Sequence, residues 1–91
     1  MEKINIQRAI DTLNLESEAV KDQINHLDDN FIKAVSLIEK ASGRVVVIGL
    51  GKSGHIGRKI AATMASIGVP AIYLHPAECL HGDLGMIMKE D

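Results

Sequence analysis

Aromatic side chains are scarce in this 91-residue chain, which has no tryptophan, one tyrosine and one phenylalanine. The chain therefore offers few aromatic rings on which nucleic-acid bases can stack. An excess of positive charge is also lacking, because ten basic and twelve acidic side chains give a formal net charge of −2. Both observations argue against a nucleic acid as a partner.

Cysteine and long apolar runs are scarce as well. Cys79 is the only cysteine, so the chain cannot form an internal disulfide, which is typical of a reducing compartment. No apolar run approaches the roughly 20 residues of a membrane span. Residues 1–5 lack the apolar core of a signal peptide. We therefore expect a cytoplasmic protein with no membrane partner.

The composition that remains is that of an ordinary globular protein, with 46% apolar and 24% charged residues. A chain of this length forms one domain at most and buries roughly 60–65% of its unfolded surface, which leaves little net stability. The patterns described below are typical of the opening of a larger sheet. We therefore expect a truncated chain, or one that folds only with partners.

Residues 1–43 are predicted to form an N-terminal helical segment. Apolar residues recur at helical spacing over 4–27, which predicts a long amphipathic helix that is interrupted near Asn14. A second helix is expected over 30–41. Gly43 stands where a glycine in the left-handed conformation would end this helix. The apolar stripe of the first helix can pack on its own domain or on a second subunit.

Residues 44–91 are predicted to form a first βαβ unit and an active-site loop. The apolar run over 44–50 favours a strand that is buried on both faces, as in parallel sheets covered by helices. Helical spacing resumes over 53–67, and a short strand follows over 71–74. The expected fold class is α/β, the opening of a larger parallel sheet preceded by two N-terminal helices.

A glycine-rich turn, written GLGKSG over 49–54, joins the first strand to the third helix. Such a turn presents free N–H groups at the positive end of a helix dipole, and its glycines let the backbone approach an anion. Lys52 adds a charge and Ser53 a hydroxyl, so the turn predicts a phosphate site. The alternative is a tight turn that binds nothing.

The kind of phosphate is constrained by the neighbouring residues. Gly49, Gly51 and Gly54 satisfy the dinucleotide-binding spacing, but His75 stands where that site needs an acidic residue for the ribose. The sequence does not match the P-loop motif, because Val46 occupies the position of the first glycine of that motif. A small phosphorylated ligand therefore fits better than a nucleotide, and a dinucleotide-dependent oxidoreductase is disfavoured.

The loop after the second strand is expected at the same edge of the sheet as the glycine-rich turn, so its polar residues can approach the anion. For His75 we favour a cap on the loop backbone, and for His81 a role in moving protons near neutral pH. Glu78, Cys79 and these histidines carry metal-ligating atoms, but their spacing matches no closed zinc pattern. No metal is expected, and Cys79 is interpreted as a packing residue.

Residues 45–87 closely resemble the SIS (sugar isomerase) domain of arabinose 5-phosphate isomerases. The most specific motifs are GKSGHIGRKIAAT at 51–63 and HPAECLHGDLGM at 75–86. This resemblance implies a doubly wound, flavodoxin-like sheet. It also implies an aldose–ketose isomerase that interconverts ribulose 5-phosphate and arabinose 5-phosphate, on the pathway to the eight-carbon acid of lipopolysaccharide and capsule.

The resemblance also implies residue roles. Lys52 and His81 match the family's catalytic lysine and histidine, the first contacting the substrate and its phosphate and the second doing acid–base work. No cofactor is required if hydrogen bonds stabilise the enediolate. The substrate- and phosphate-binding residues expected from the turn and the resemblance together are Gly51, Lys52, Ser53, Gly54, Glu78 and His81.

Family members usually assemble as tetramers with shared sites, so a homo-oligomer is expected. The family's second serine-rich phosphate loop, further glutamates and another histidine would lie beyond residue 91, so we expect no independent isomerase activity. The alternative function is a non-catalytic phosphosugar-sensing SIS module of a regulator. Lys52 together with the run 81–83 argues against a pure sensor, and residues 1–43 are too acidic for an upstream DNA-binding helix pair.

Overall fold

The computed structural model describes residues 4–91, so residues 1–3 of the predicted helical segment lie outside the described residues. None of the helices in this range is long and apolar enough to cross a membrane. The elements, in chain order, are α1 (Ile6–Asp22), a 3-10 turn (Gln23–His26), α2 (Asp29–Lys40), β1 (Val45–Ile48), α3 (Gly51–Ser66), β2 (Ala71–Leu74), α4 (Pro76–Leu80) and a second 3-10 turn (Asp83–Met86).

Helix α1 begins where Asn5 caps it, because the Asn5 Oδ1 accepts a hydrogen bond from the N–H of Gln7 at 2.8 Å. The interruption predicted near Asn14 is absent, and α1 continues through that position. The hydroxyl of Ser17 donates to the carbonyl of Leu13, so this polar residue is accommodated inside the helix. The polar residues at and after Asn14 therefore do not break the helix.

The chain divides into two compact units, Met1–Ala34 and Val35–Asp91. In the first unit the apolar stripe of α1 is exposed, with Ile6 at 78% and Val20 at 72% of their accessible surface. This exposure is compatible with the expected homo-oligomer, which stays a prediction. The division at residue 43 into a helical segment and a βαβ unit also stays a prediction.

The second unit contains the βαβ crossover that the sequence predicted. Strands β1 and β2 pair in parallel, with Val45 opposite Ala71 and Ile48 opposite Leu74. Helix α3 connects the strands and packs against both. Its approach is close because Gly57 is buried in α3, where an added Cβ would lie 2.8 Å from Cγ1 of Val47.

Strand β1 is shorter and less buried than predicted. It covers Val45–Ile48 rather than 44–50, and Ile48 keeps 48% of its surface exposed. Within residues 4–91 the buried apolar side chains are Ala61 of α3 and Leu74 of β2, each about 4% exposed. Strand β1 is therefore half-buried rather than covered on both faces, and its unit has a small core.

A carboxylate near the end of the described range is tied to the start of β1. The Arg44 guanidinium donates to both carboxylate oxygens of Asp91, from Nη2 to Oδ2 at 2.9 Å and from Nε to Oδ1 at 3.3 Å. The backbone N–H groups of Arg44 and Met88 also donate to this carboxylate, at 2.9 and 2.8 Å. The side chain of Asp91 is only 3% exposed, so the pair anchors the segment after the second 3-10 turn to β1.

This anchor predicts a loss of stability in acid. The hydrogen bond from Arg44, together with the backbone N–H groups, holds the pKa of Asp91 well below its ordinary value. A carboxylate with a lowered folded pKa contributes stability that is present above its unfolded pKa of about 3.9 and is lost as the pH falls towards the folded pKa. We expect Asp91→Asn to lower the melting temperature at pH 7, and the difference from the wild type to shrink below about pH 4.

Thermal melts followed by circular dichroism between pH 7 and the acid range measure this effect. Glu90→Gln is the matched control, because it removes the same charge one residue away and Glu90 is exposed. Identical melting curves for the two variants at every pH would contradict the role of Asp91.

Candidate functional site

The glycine-rich turn places unpaired backbone donors at the head of α3. The helix begins at Gly51, two residues earlier than predicted, and Leu50 is its N-cap. The N–H of Gly54 donates to the carbonyl of Leu50 at 3.2 Å, closing the first turn. The N–H groups of Gly51, Lys52 and Ser53 precede it and have no partner inside the helix, so they lie at the positive end of its dipole.

Two glycines are needed for this turn to close. Gly51 has a φ of +61°, a left-handed conformation that costs residues with a Cβ about 1–2 kcal/mol. Gly54 is buried, and an added Cβ would lie 2.6 Å from the carbonyl oxygen of Gly49 and 2.7 Å from the hydroxyl of Tyr73. The two ends of the turn therefore touch each other directly.

Tyr73, for which the sequence predicts no role, also contacts the turn. Its hydroxyl donates to the carbonyl of Gly49 at 2.6 Å, and the Cζ of Arg58 lies 4.5 Å from the centroid of its ring. Tyr73 lies opposite Val47 in the register of the sheet. One sequence feature could have indicated this contact, namely a tyrosine inside an otherwise apolar strand. A tyrosine hydroxyl that is buried there needs a hydrogen-bond partner.

The predicted anion-binding side chains lie where an anion can reach them. Lys52 and Ser53 occupy the second and third positions of α3, and both are exposed. Within residues 4–91, neither the Lys52 ammonium nor the Ser53 hydroxyl has a hydrogen-bonding or ionic partner. Both groups therefore remain available to a ligand at the head of the helix.

The loop after β2 contains the short helix α4. The Nδ1 of His75 accepts a hydrogen bond from the N–H of Ala77 at 3.1 Å, and Pro76 occupies the first turn of α4. The cap predicted for His75 is therefore present. It uses one ring nitrogen of His75 for the structure of the loop.

Glu78 and His81 are exposed and belong to this second segment. His81 is the C-cap of α4, and Gly82 follows with a φ of +125° that turns the chain towards the second 3-10 turn. Because Ile48 lies opposite Leu74 in a parallel pair, the glycine-rich turn and α4 leave the same edge of the sheet. The fold thus brings the two predicted segments to one edge, while the roles of their side chains stay predictions.

Metal-ligating side chains near this edge are dispersed. In the part of the chain that the structure describes, no group of three or more His, Cys, Asp or Glu side chains is placed to hold a metal ion. Cys79 is a free, half-buried cysteine of α4. The chemistry that this edge offers is that of amide N–H groups, an ammonium, hydroxyl, carboxylate and imidazole.

Comparison with known proteins identifies relatives of this arrangement. A family model described as SIS domain matches residues 37–91. The arabinose 5-phosphate isomerase KdsD of Pseudomonas aeruginosa is 52% identical over 86 residues, which cover 94% of this chain and 26% of that protein. The arabinose 5-phosphate isomerase GutQ of Escherichia coli O6:H1 is 55% identical over 80 residues, which cover 88% of this chain and 25% of that protein. The chain spans about a quarter of the length of these relatives.

A solved structure shares the fold. The protein c3406 of E. coli CFT073, in complex with arabinose 5-phosphate, matches with a TM-score of 0.87 and 39% sequence identity. The match covers 100% of this chain and 49% of that one. The predicted beginning of a doubly wound α/β sheet is therefore confirmed.

Proposed function

Because the chain belongs to the SIS domain family, we propose that it is the sugar-phosphate-binding part of an aldose–ketose isomerase of the arabinose 5-phosphate isomerase type. The observation that carries this proposal is the head of α3, where three amide N–H groups have no partner inside the helix and Lys52 is the second residue, with an exposed side chain. The relatives named arabinose 5-phosphate isomerases and the related structure in complex with arabinose 5-phosphate support it.

The phosphate of the sugar binds at the glycine-rich turn. The N–H groups of Gly51, Lys52 and Ser53 donate to its oxygens, and the helix dipole adds about half a positive charge. The Ser53 hydroxyl adds a neutral donor, and Lys52 adds a charge-assisted hydrogen bond. Gly54 contributes by its small size, since it lets the turn close beneath the phosphate.

The reacting end of the sugar lies towards the segment after β2. Isomerisation removes a proton from the carbon beside the carbonyl, leaving an enediolate, and returns a proton to the neighbouring carbon. A proton also moves between the two oxygens, so substrate and product contain the same atoms. His81 carries a proton in this exchange, Lys52 stabilises the negative charge, and Glu78 binds the sugar.

Calorimetric titration of the 91-residue chain with arabinose 5-phosphate tests the binding role. We expect saturable binding, with at least about tenfold weaker binding of unphosphorylated arabinose, since charge-assisted hydrogen bonds to the phosphate are lost. Absence of saturable binding, or equal affinity for the two sugars, would overturn the proposal. Conversion of arabinose 5-phosphate to ribulose 5-phosphate is assayed in the same samples, and turnover would contradict the expectation that this chain has no independent activity.

A further inference from the structure

We propose that Tyr73 is a positioning residue for the anion site, because its hydroxyl fixes the peptide group that leads into α3. This inference rests on the proposed function and adds a residue to it. Tyr73 belongs to β2 rather than to the glycine-rich turn, so it acts on the ligand through the Gly49 carbonyl.

The hydrogen bond from Tyr73 adds a side-chain restraint to the Gly49 carbonyl, which also packs against the backbone of Gly54. Gly49 has no Cβ, so its own side chain does not limit rotation of the following peptide. The side chain of Leu50, the N-cap, makes no capping hydrogen bond. The 2.6 Å bond from the Tyr73 hydroxyl to the Gly49 oxygen therefore supplies a restraint that the local sequence does not provide.

The orientation of this peptide affects where α3 begins, and the proposed donors to the anion are the first N–H groups of that helix. The Gly49–Leu50 peptide is trans, so its C=O and N–H groups point in opposite directions. Holding the Gly49 oxygen against Tyr73 therefore aims the Leu50 N–H away from the tyrosine. The same restraint sets where the Leu50 carbonyl meets the N–H of Gly54, and hence where the first turn of α3 begins.

The tyrosine ring is itself held in place. On one side it packs against α3, where an added Cβ at Gly57 would lie 3.9 Å from the ring carbons and one at Gly54 would lie 2.7 Å from the hydroxyl. The guanidinium of Arg58 covers the ring at 4.5 Å, a cation–π distance. The hydroxyl of Tyr73 is therefore placed by β2 and α3 together before any ligand binds.

Tyr73→Phe tests this proposal, because it removes the hydroxyl and keeps the ring against Gly57. We expect the affinity for arabinose 5-phosphate to fall about fivefold to tenfold. We also expect lower backbone ¹⁵N order parameters at residues 50–53 of the ligand-free chain. Ser66→Ala is the matched control, since it removes a hydroxyl that donates to the Thr63 carbonyl near the far end of α3, and it should change neither quantity.

The two measurements separate the two proposals. Wild-type affinity and wild-type order parameters in Tyr73→Phe would overturn the positioning role while leaving the binding function intact. If the wild-type chain does not bind arabinose 5-phosphate, the proposed function fails, and the order parameters then decide the role of Tyr73. Unchanged values at residues 50–53 reject that role, and lowered values confined to those residues support it.

Discussion

Gly54→Ala is expected to lower the free energy of unfolding of the second unit by about 3 kcal/mol. The added Cβ would lie 2.6 Å from the carbonyl oxygen and 3.0 Å from the carbonyl carbon of Gly49, besides 2.7 Å from the Tyr73 hydroxyl. Two of these three neighbours are backbone atoms, so the overlap is relieved only by opening the turn. Since the unit has a small core, urea denaturation should show a large fall in the midpoint.

Gly85→Ala is the matched control for this substitution. An added Cβ at Gly85 meets nothing within 4 Å, and its φ lies outside the left-handed range. We expect its urea midpoint to stay close to that of the wild type. Equal midpoints for Gly54→Ala and Gly85→Ala would show that the turn tolerates a methyl group at Gly54, and the account of its closure would be wrong.

Lys52→Met is expected to weaken the binding of arabinose 5-phosphate about 10- to 100-fold, because a charge-assisted hydrogen bond to the phosphate is lost. The side chain is exposed and has no partner within residues 4–91, so the thermal midpoint should hardly change. Titration calorimetry at two salt concentrations measures the effect. The wild-type affinity should fall with salt more steeply than that of the variant.

Lys59→Met provides the control, because it removes the same charge from another exposed position of the same helix. If the two lysine variants lose affinity equally, the net charge of the chain rather than the head of α3 attracts the ligand. A wild-type affinity in Lys52→Met would remove the ammonium from the proposed site altogether.

The helices and strands of the second unit could be predicted because each depends on local patterns. The valines of β1 and the helical spacing in α3 were sufficient for the parallel crossover. The start of α3 was misplaced because the conformation of Gly51, at a φ of +61°, follows from how the turn closes. The interruption near Asn14 was wrong because an asparagine in a helix costs only tenths of a kcal/mol, too little to break it.

Long-range contacts could not be predicted in the same way. Arg44 and Asp91 are 47 positions apart, and the local sequence around either residue does not indicate that the other is its ion-pair partner. The Tyr73 hydroxyl contacts the Gly49 carbonyl because of the register of the sheet and because the glycines of α3 let this helix lie close to the strands. The backbone donors of the proposed anion site were predictable, since they follow from the turn itself.

The position of Tyr73 gives the protein a built-in optical reporter. The chain has one tyrosine and no tryptophan, so its intrinsic tyrosine fluorescence arises from a single ring. That ring is bonded to the turn and covered by Arg58. Changes in fluorescence lifetime or quenching therefore report on the entrance to α3 itself, without any added label.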